Sequence, residues 1–405
     1  MKSQRTFTVI VCFFLLACQS GKDSAVSDTS PEEGTFGFDL AFLTGYDDVV
    51  LLKRGDAQIV VSPKYQGKVF TSTAQGGKGQ SFGWVNYKAF TATPNVHMNA
   101  YGGENRLWLG PEGNAFSLFF KPGSEMTFEN WFTPPAIDVE AWEVTQKNDT
   151  AVAMSKSMDL VNYAGTTLGI DVTRTIKLLT EQQIRKELDI APGLEVRVVG
   201  YRTDNTITNS GSTPWTHETG APCIWMLDMF VSSPGTVVVV PWRREAGESA
   251  ITSDYFGKIS SDRLSLVDSL ILFRADGRSR GKIGVSPKGA KHFAGSYDFD
   301  RNILTIVTYD LDSEAVYLNQ EWTTDEDPFA GDAVNAYNDG LLEDGSLMGP
   351  FYELESVSPA AFLNPGEKLT HRHSVFHLTG DGEAVKRAFA DLFGSIDVVE
   401  NFVRN

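Results

Sequence analysis

Leu168-Gly-Ile-Asp-Val-Thr-Arg-Thr-Ile-Lys-Leu-Leu179 is the stretch that decides the fold. Leu168, Ile170, Val172, Ile176 and Leu178 share one parity, while Asp171, Thr173, Thr175 and Lys177 take the other. Alternation of this length puts the apolar groups on one side of an extended chain, the pattern of a β-strand with one face on a core. Arg174 interrupts the apolar row. Either the strand leaves the core there, with a bulge swinging the side chain outward, or the guanidinium reaches a ligand or a carboxylate.

Similar runs recur on both sides of that stretch. Ala57–Ser62, Lys68–Thr73, Ala151–Asp159, Val196–Asn209, Thr236–Val240, Leu266–Phe273, Leu304–Tyr309 and His371–Leu378 are rich in Val, Ile, Thr and aromatics. Gly, Pro, Asn and Asp separate most of them, as turns between strands require. Only Thr180–Asp189, with Thr180 as its cap, and Glu383–Phe393 read as helices. The expectation is a mainly β protein, a large antiparallel sandwich with few helices. No second linker and no repeat interrupts residues 37–405, which are therefore expected to form a single domain. That is large for one core, since about 250 residues is a usual upper size.

The N-terminus carries a different message. Lys2 and Arg5 precede an apolar run from Val9 to Ala17, which ends at Cys18. A charged head, a short apolar middle and a small residue before the cut make a secretory signal, and the run is too short to span a bilayer, which takes about 20 apolar residues. Leu15-Leu16-Ala17-Cys18 resembles the bacterial lipobox, which implies lipidation of Cys18 and removal of residues 1–17; the alternative is an ordinary signal peptide cut near Ala17. Gln19 rather than Asp follows, the pattern expected of sorting to the outer membrane. Residues 18–36, small and polar, read as a flexible tether. The expected location is the bacterial cell envelope, with the lipid as the only membrane contact.

In that setting Cys12 leaves with the signal and Cys18 carries lipid, so Cys223 is the one ordinary thiol and neither a disulfide nor a Cys-based metal site can form. Stability must come from the core, for which 41% hydrophobic and 11% aromatic residues suffice. Cleavage after Ala17 removes two cations and no acid, taking the formal charge from −17 to −19. Such a balance disfavours nucleic acid and anionic polysaccharide as bulk electrostatic partners, though it leaves room for a local basic pocket. No cofactor is expected, and the sequence sets no oligomeric state.

Four polar clusters could carry chemistry. In His97-Met-Asn-Ala-Tyr-Gly-Gly-Glu-Asn-Arg-Leu-Trp-Leu-Gly-Pro-Glu-Gly113, His97, Glu104, Arg106 and Glu112 supply donors and acceptors, and Trp108 supplies a face for a sugar ring; the glycines could also serve only a tight turn. His217 follows the Asn209-Ser-Gly turn and is placed at the start of the next strand, where it could face a cleft. Asp332 and Asn335 in Gly331-Asp-Ala-Val-Asn-Ala-Tyr-Asn-Asp-Gly340 suit sugar hydroxyls or a hard cation, whereas Asn338–Gly340 reads as a turn. In the fourth, Glu353 and Glu355 share one strand face and Tyr352 and Leu354 the other. Paired carboxylates line a groove, where repulsion and burial raise one pKa, or simply face solvent. His371, His373 and His377 also share a face, a weak metal signal.

Taken in order, Val60-Val-Ser-Pro-Lys-Tyr-Gln-Gly-Lys-Val-Phe-Thr-Ser72, Gly102–Gly113, Asn205–Asn209, Gly331-Asp332 with Asn335, and Leu354-Glu355-Ser followed by Pro359-Ala and Leu363–His371 resemble the galactose mutarotase-like (aldose 1-epimerase) superfamily, including a set of bacterial lipoproteins within it. The resemblance implies a β-supersandwich with a concave sugar groove. It makes Glu355 the base, His217 the acid, His97 an oxygen-stabilising partner and Asp332 a hydroxyl-binding group, with Glu104, Arg106, Trp108, Glu112, Arg174, Glu353 and His371 around the sugar. Asp332 is followed by Ala-Val where the family carries a histidine, and the aromatic pattern after its acid is missing beyond His217. The leading expectation is a surface lipoprotein acting on a sugar by acid–base chemistry, epimerase-like. The alternatives are a non-catalytic glycan-binding lipoprotein using Trp108, Trp131 and Trp142, or a metal-dependent enzyme using His371 and His373.

Overall fold

Three antiparallel sheets account for most of the chain, and each strand finds its place by which of its faces is apolar. The computed structural model describes residues 31–190, 195–342 and 345–404. The expected signal peptide, Cys18 and most of the tether fall outside them. A small sheet takes Val50–Arg54, Ala57–Ser62 and Lys68–Thr73 in that order. A ten-stranded sheet runs, in spatial order, Leu264–Val267, Leu270–Arg274, Thr236–Pro241, Phe293–Asp298, Ile303–Tyr309, Lys368–Gly380, Val196–Asn209, Thr167–Leu178, Ala151–Val161 and Glu143–Asn148. A six-stranded sheet follows the order Ile251–Thr252, Gly281–Val285, Val334–Asn338, Phe351–Val357, Cys223–Val231 and Arg106–Gly110.

The two large sheets face each other across the main core. Ile170, Val172, Ile176, Val199 and Val375 from one interleave with Leu107, Ile224, Met226, Ile283 and Leu354 from the other, all buried. Each fully buried aliphatic side chain contributes roughly 1.5–3 kcal/mol through area removed from water. The opposite face of the ten-stranded sheet is covered by Glu181–Leu188, Gly382–Phe393 and Asp397–Arg404, whose Ile184, Phe389 and Val399 meet Val239, Leu304 and Phe376. Thr180 closes the first of these helices with a capping box: Thr180 Oγ1 accepts from Gln183 N (3.2 Å) and Gln183 Oε1 accepts from Thr180 N (2.8 Å).

The mainly β antiparallel sandwich is as expected, with four helices rather than two among the described residues. Phe36–Thr44 and Asp397–Arg404 are the additions. Leu266–Phe273 is a hairpin rather than one strand, turning at Asp268, which takes a left-handed φ of 53°. Arg174 stays in the core: the strand pairs without a register shift from Ala151↔Lys177 to Val161↔Thr167, so no bulge turns the side chain out. Among the described residues, no helix is long and apolar enough to cross a membrane.

Candidate functional site

Strand alternation divides the polar residues of the six-stranded sheet into two sets. Arg106, Trp108, Trp225, Lys282, Asn335, Tyr337, Glu353 and Glu355 stand on the face turned away from the ten-stranded sheet, as the cross-strand pairs Arg106↔Leu227↔Glu355↔Asn335 and Lys282↔Tyr337↔Glu353 require. Asn105, Asp228 and Ser356 have the other parity and enter the space between the sheets.

On the outward face Glu355 is fully buried, and one of its oxygens is held from two sides. Lys282 Nζ donates to Glu355 Oε2 at 2.8 Å and Trp225 Nε1 donates to the same atom at 2.9 Å. The ammonium also lies over the Trp225 ring at 5.0 Å. Glu355 Oε1 is buried with no partner among the described residues. Beside it, Arg106 donates to Glu353 Oε1 at 2.5 Å and lies over Trp108 at 5.2 Å. Asp332 Oδ2 accepts from Tyr255 Oη at 2.5 Å, and Asn335 Nδ2 donates to the same hydroxyl at 3.2 Å. The Asp332 carboxylate fits only because position 284 is glycine: a Cβ there would sit 2.0 Å from Asp332 Oδ2.

These neighbours set the protonation pattern. Burial works against the Lys282 ammonium, but Glu355, Glu112 and Glu353 outweigh it and raise its pKa. Burial pushes Glu112 from 4.5 up to about 7, with Lys282 and the Trp322 indole opposing and Glu355 adding to the rise. Glu353 is raised as well, by burial first, with Arg106 opposing and Glu355 reinforcing. Asp332 rises to about 6 for the same leading reason, against its Tyr255 hydrogen bond. Ionisable groups pushed apart in this way, in one place, are what acid–base chemistry near neutral pH needs.

An aromatic wall adjoins the charges. Trp131 stacks on Trp322 at 5.8 Å and 24° and on Phe128 at 6.2 Å and 20°, and lies 6.4 Å from Trp108. Phe128 is 57% and Trp322 36% exposed, so the wall reaches the surface. His97 supports it from behind: its Nδ1 is hydrogen-bonded to Trp131 O at 2.6 Å, and its ring stacks on Phe132 at 4.7 Å.

The structure thus brings together Arg106, Trp108, Glu112, Asp332, Glu353 and Glu355 from the sequence reading. Arg174 and His371 lie between the sheets because of their parity. Glu104 joins them although it shares the parity of Arg106, because it precedes the strand that begins at Arg106. Glu104 Oε1 accepts from Ser72 Oγ at 2.7 Å and is hydrogen-bonded to His377 Nε2 at 3.1 Å. Arg174 donates to Asn205 Oδ1 at 3.0 Å and Asn105 Oδ1 at 2.5 Å. His371 Nε2 is hydrogen-bonded to Ser356 Oγ at 2.9 Å, and burial lowers its pKa to about 3. His217 is on an exposed turn, not at a strand start, with its ring on Phe362 at 4.0 Å; the next strand begins at Cys223. Trp142 is buried and donates to Ala136 O at 3.1 Å, so it offers no face to a ligand.

Phe128, Trp225, Tyr255, Lys282 and Trp322 are the site residues that sequence reasoning missed. The available signal was Lys282 alone, a cation inside the short Gly281–Val285 run. Among the described residues, no group of three or more His, Cys, Asp or Glu is placed to hold a metal. Cys223 is buried, which lifts its thiol to about 12.

Residues 34–403 match a family model described as a family of unknown function, DUF6786. The chain belongs to the DUF6786 family. No curated protein matches it. Solved structures similar to this DUF6786 chain include an Escherichia coli K12 protein provisionally designated an aldose 1-epimerase, with TM-score 0.49, 13% identity, and coverage of 81% of this chain and 98% of that one. A galactose mutarotase-like protein from Lactobacillus casei gives TM-score 0.47 at 10% identity, covering 81% of this chain and 99% of its own. The Slr1438 protein from Synechocystis gives TM-score 0.49 at 13%, covering 82% and 96%. These likenesses are too distant to assign a role to any residue, so the site rests on its own geometry.

Proposed function

We propose that the outward face of the six-stranded sheet binds a carbohydrate and interconverts its anomers by acid–base catalysis. The observation that carries this reading is the Glu355 carboxylate, with one oxygen fixed by Lys282 and Trp225 and the other buried and unpartnered. Such an oxygen is placed to accept a hydroxyl proton, while Glu112, lifted to about 7, holds a proton to give at neutral pH. Glu355 takes the proton from the anomeric hydroxyl as the bond from the anomeric carbon to the ring oxygen breaks. Glu112 protonates that oxygen, and the aldehyde so formed recloses from either face. His217 is replaced as the acid in this scheme, since its exposed ring rests on Phe362. Arg106, Asp332 and Asn335 are the hydroxyl partners, and the Phe128–Trp131–Trp322 wall receives the apolar face of a ring.

The test is anomer exchange followed by NMR on a panel of reducing sugars. Glu355→Gln should abolish exchange yet retain binding, and unchanged exchange would remove Glu355 from the mechanism. The near-complete burial of Glu355, beside aromatics that do reach the surface, favours one second reading, a glycan-binding protein without turnover. That reading requires measurable affinity, weakened by Trp322→Ala, with no exchange of any sugar in the panel. We further propose that the protein is held at the bacterial envelope through lipid on Cys18, in the outer membrane. Metabolic labelling with palmitate should be lost in Cys18→Ala.

A further inference from the structure

Next to the candidate site several cations gather. Lys258, Arg263, Arg274, Arg278 and Arg280 crowd one edge of a chain whose formal charge is −17. Two of these cations are engaged. Arg263 makes a two-pronged contact with Asp276, at 3.1 and 2.6 Å. Arg274 donates to the carbonyls of Asp262, Phe402 and Val403. Among the described residues, Lys258, Arg278 and Arg280 have no carboxylate within ion-pair distance.

Lys258 and Arg280 line a cavity of about 120 Å³, together with Phe256, Ser260, Arg263 and Ser279. That is the volume of roughly four waters, enough for one small anionic group. Two chain segments lead from the cavity to residues of the site. Phe256 lines it and the preceding Tyr255 holds Asp332; Gly281 lines it and the following Lys282 holds Glu355. The Arg280 guanidinium lies 3.8 Å from the centre of the Phe256 ring, and that ring meets Tyr337, the cross-strand partner of Lys282, at 5.9 Å. The stacked ring fixes the plane of the guanidinium and leaves its N–H edge free for an oxyanion.

We propose that this basic cavity is a subsite for an anionic substituent, a sulfate ester or a uronate carboxylate, on the saccharide held at the Glu355 face. The proposal rests on the carbohydrate reading above and names the class of saccharide. The net negative charge of the chain sharpens the selection, because it disfavours an anionic chain in general while local cations favour it at this edge.

The test uses the full chain and four probes: a sulfated galactan oligosaccharide, its desulfated counterpart, a uronate oligosaccharide and inorganic sulfate. The wild type should bind one of the anionic oligosaccharides at least about tenfold more tightly than the neutral one, the worth of one or two charge-assisted hydrogen bonds. Which of the two is preferred identifies the substituent. Inorganic sulfate should compete with the anionic probe and not with the neutral one. The double variant Lys258→Gln/Arg280→Gln should lose the preference while its affinity for the neutral probe and its melting temperature stay unchanged, both side chains being exposed. Equal binding of neutral and anionic probes, or a preference that survives the double variant, overturns the subsite and leaves the carbohydrate reading standing. Failure to bind any of the oligosaccharides overturns both.

Discussion

The strand Phe351–Val357 carries two different environments on its two sides. On one side Glu353 and Glu355 meet Arg106 and Lys282 among tryptophans that lead to the surface. On the other, Ser356 enters a set of hydrogen bonds between the sheets. Its Oγ is hydrogen-bonded to His371 Nε2 at 2.9 Å and His373 Nδ1 at 2.8 Å; His373 Nε2 is hydrogen-bonded to Asp228 Oδ2 at 2.6 Å, and Asn105 donates to Asp228 Oδ1 at 2.6 Å. Arg174 completes the set through Asn105 and Asn205. Burial alone therefore does not mark function. The inner network ties two sheets together and leaves its own unpartnered atoms, His371 Nδ1 and Arg174 Nε, enclosed between them. The outer one keeps a carboxylate oxygen, Glu355 Oε1, unspent beside aromatics that lead to the surface.

The largest effect should come from breaking the inner network. Asp228→Ala leaves His373 Nε2 and Asn105 Nδ2 buried without their partner, which costs about 3–5 kcal/mol as for other half-removed buried pairs. Urea unfolding measures this directly. A loss under 1 kcal/mol would mean that the inner contacts contribute little to holding the sheets together.

Glu355→Gln should invert that outcome. The amide still accepts from Trp225, and Glu112 and Glu353 still offset the Lys282 charge when Glu355 no longer does. The stability loss is therefore smaller, about 1–3 kcal/mol for a weakened buried bond. Turnover should fall by roughly 10²–10⁴, the usual worth of one acid–base group. Equal destabilisation by the Asp228 and Glu355 variants, with exchange intact in the latter, would erase the distinction between the two faces.

Glu112 gives the comparison a pH axis. Its folded pKa of about 7 lies above the ordinary 4.5, so between those values the folded protein binds more protons than the unfolded one. Stability then falls as pH rises through that window, and the favourable contribution is complete only below about 4.5. Glu112→Gln should flatten the decline: melting temperatures of variant and wild type converge near pH 4.5 and separate toward pH 7, the variant higher. Exchange by the wild type should fade as Glu112 loses its proton above pH 7, and the variant should lack that limb. His371, lowered from 6.5 to about 3 by burial, stays neutral in the folded protein while the unfolded chain protonates it below about 6.5. Its contribution therefore rises with pH between those values and opposes that of Glu112; it is common to wild type and variant and cancels in their difference.

How much of this was legible depends on local geometry. Thr167–Leu178 and Ala151–Val161 were readable because one face is buried and the other wet. Cys223–Val231 is buried on both sides, so it has no alternation to read, and Trp225 and Asp228 were lost in an apolar run. Gly281–Val285 gives up side chains for close approach, Gly284 to Asp332 above all, and its glycines break the alternation that marks a strand. Glu353 and Glu355 were placed on one face by parity alone, and so were the three histidines. Parity does not say which face of a sheet looks at another sheet. That is why His371 and Arg174 were grouped with the sugar residues, and why His97 and His217 could be placed near the site by resemblance but not by physics.

Aromatic rings supply the finest test of the comparison, because each network has one stacked at its edge. Phe82 lies on His377 at 4.3 Å and 20° and is 4% exposed; Trp322 lies on Trp131 at 5.8 Å and 24° and is 36% exposed. The two contacts have similar geometry, but the second ring still has a free face. Phe82→Ala opens a cavity under a buried histidine and should cost about 3–5 kcal/mol of stability. Trp322→Ala removes a ring already partly in water, so its stability cost should be smaller than that of Phe82→Ala while sugar affinity drops about two- to tenfold, the equivalent of one aromatic contact worth about 0.5–1.5 kcal/mol. His97→Ala should produce a weaker version of the same drop, since it acts only by supporting Trp131. Calorimetric titration of the three variants separates these outcomes. A Trp322 variant that melts early and binds normally would place the aromatic wall with the core instead of the ligand.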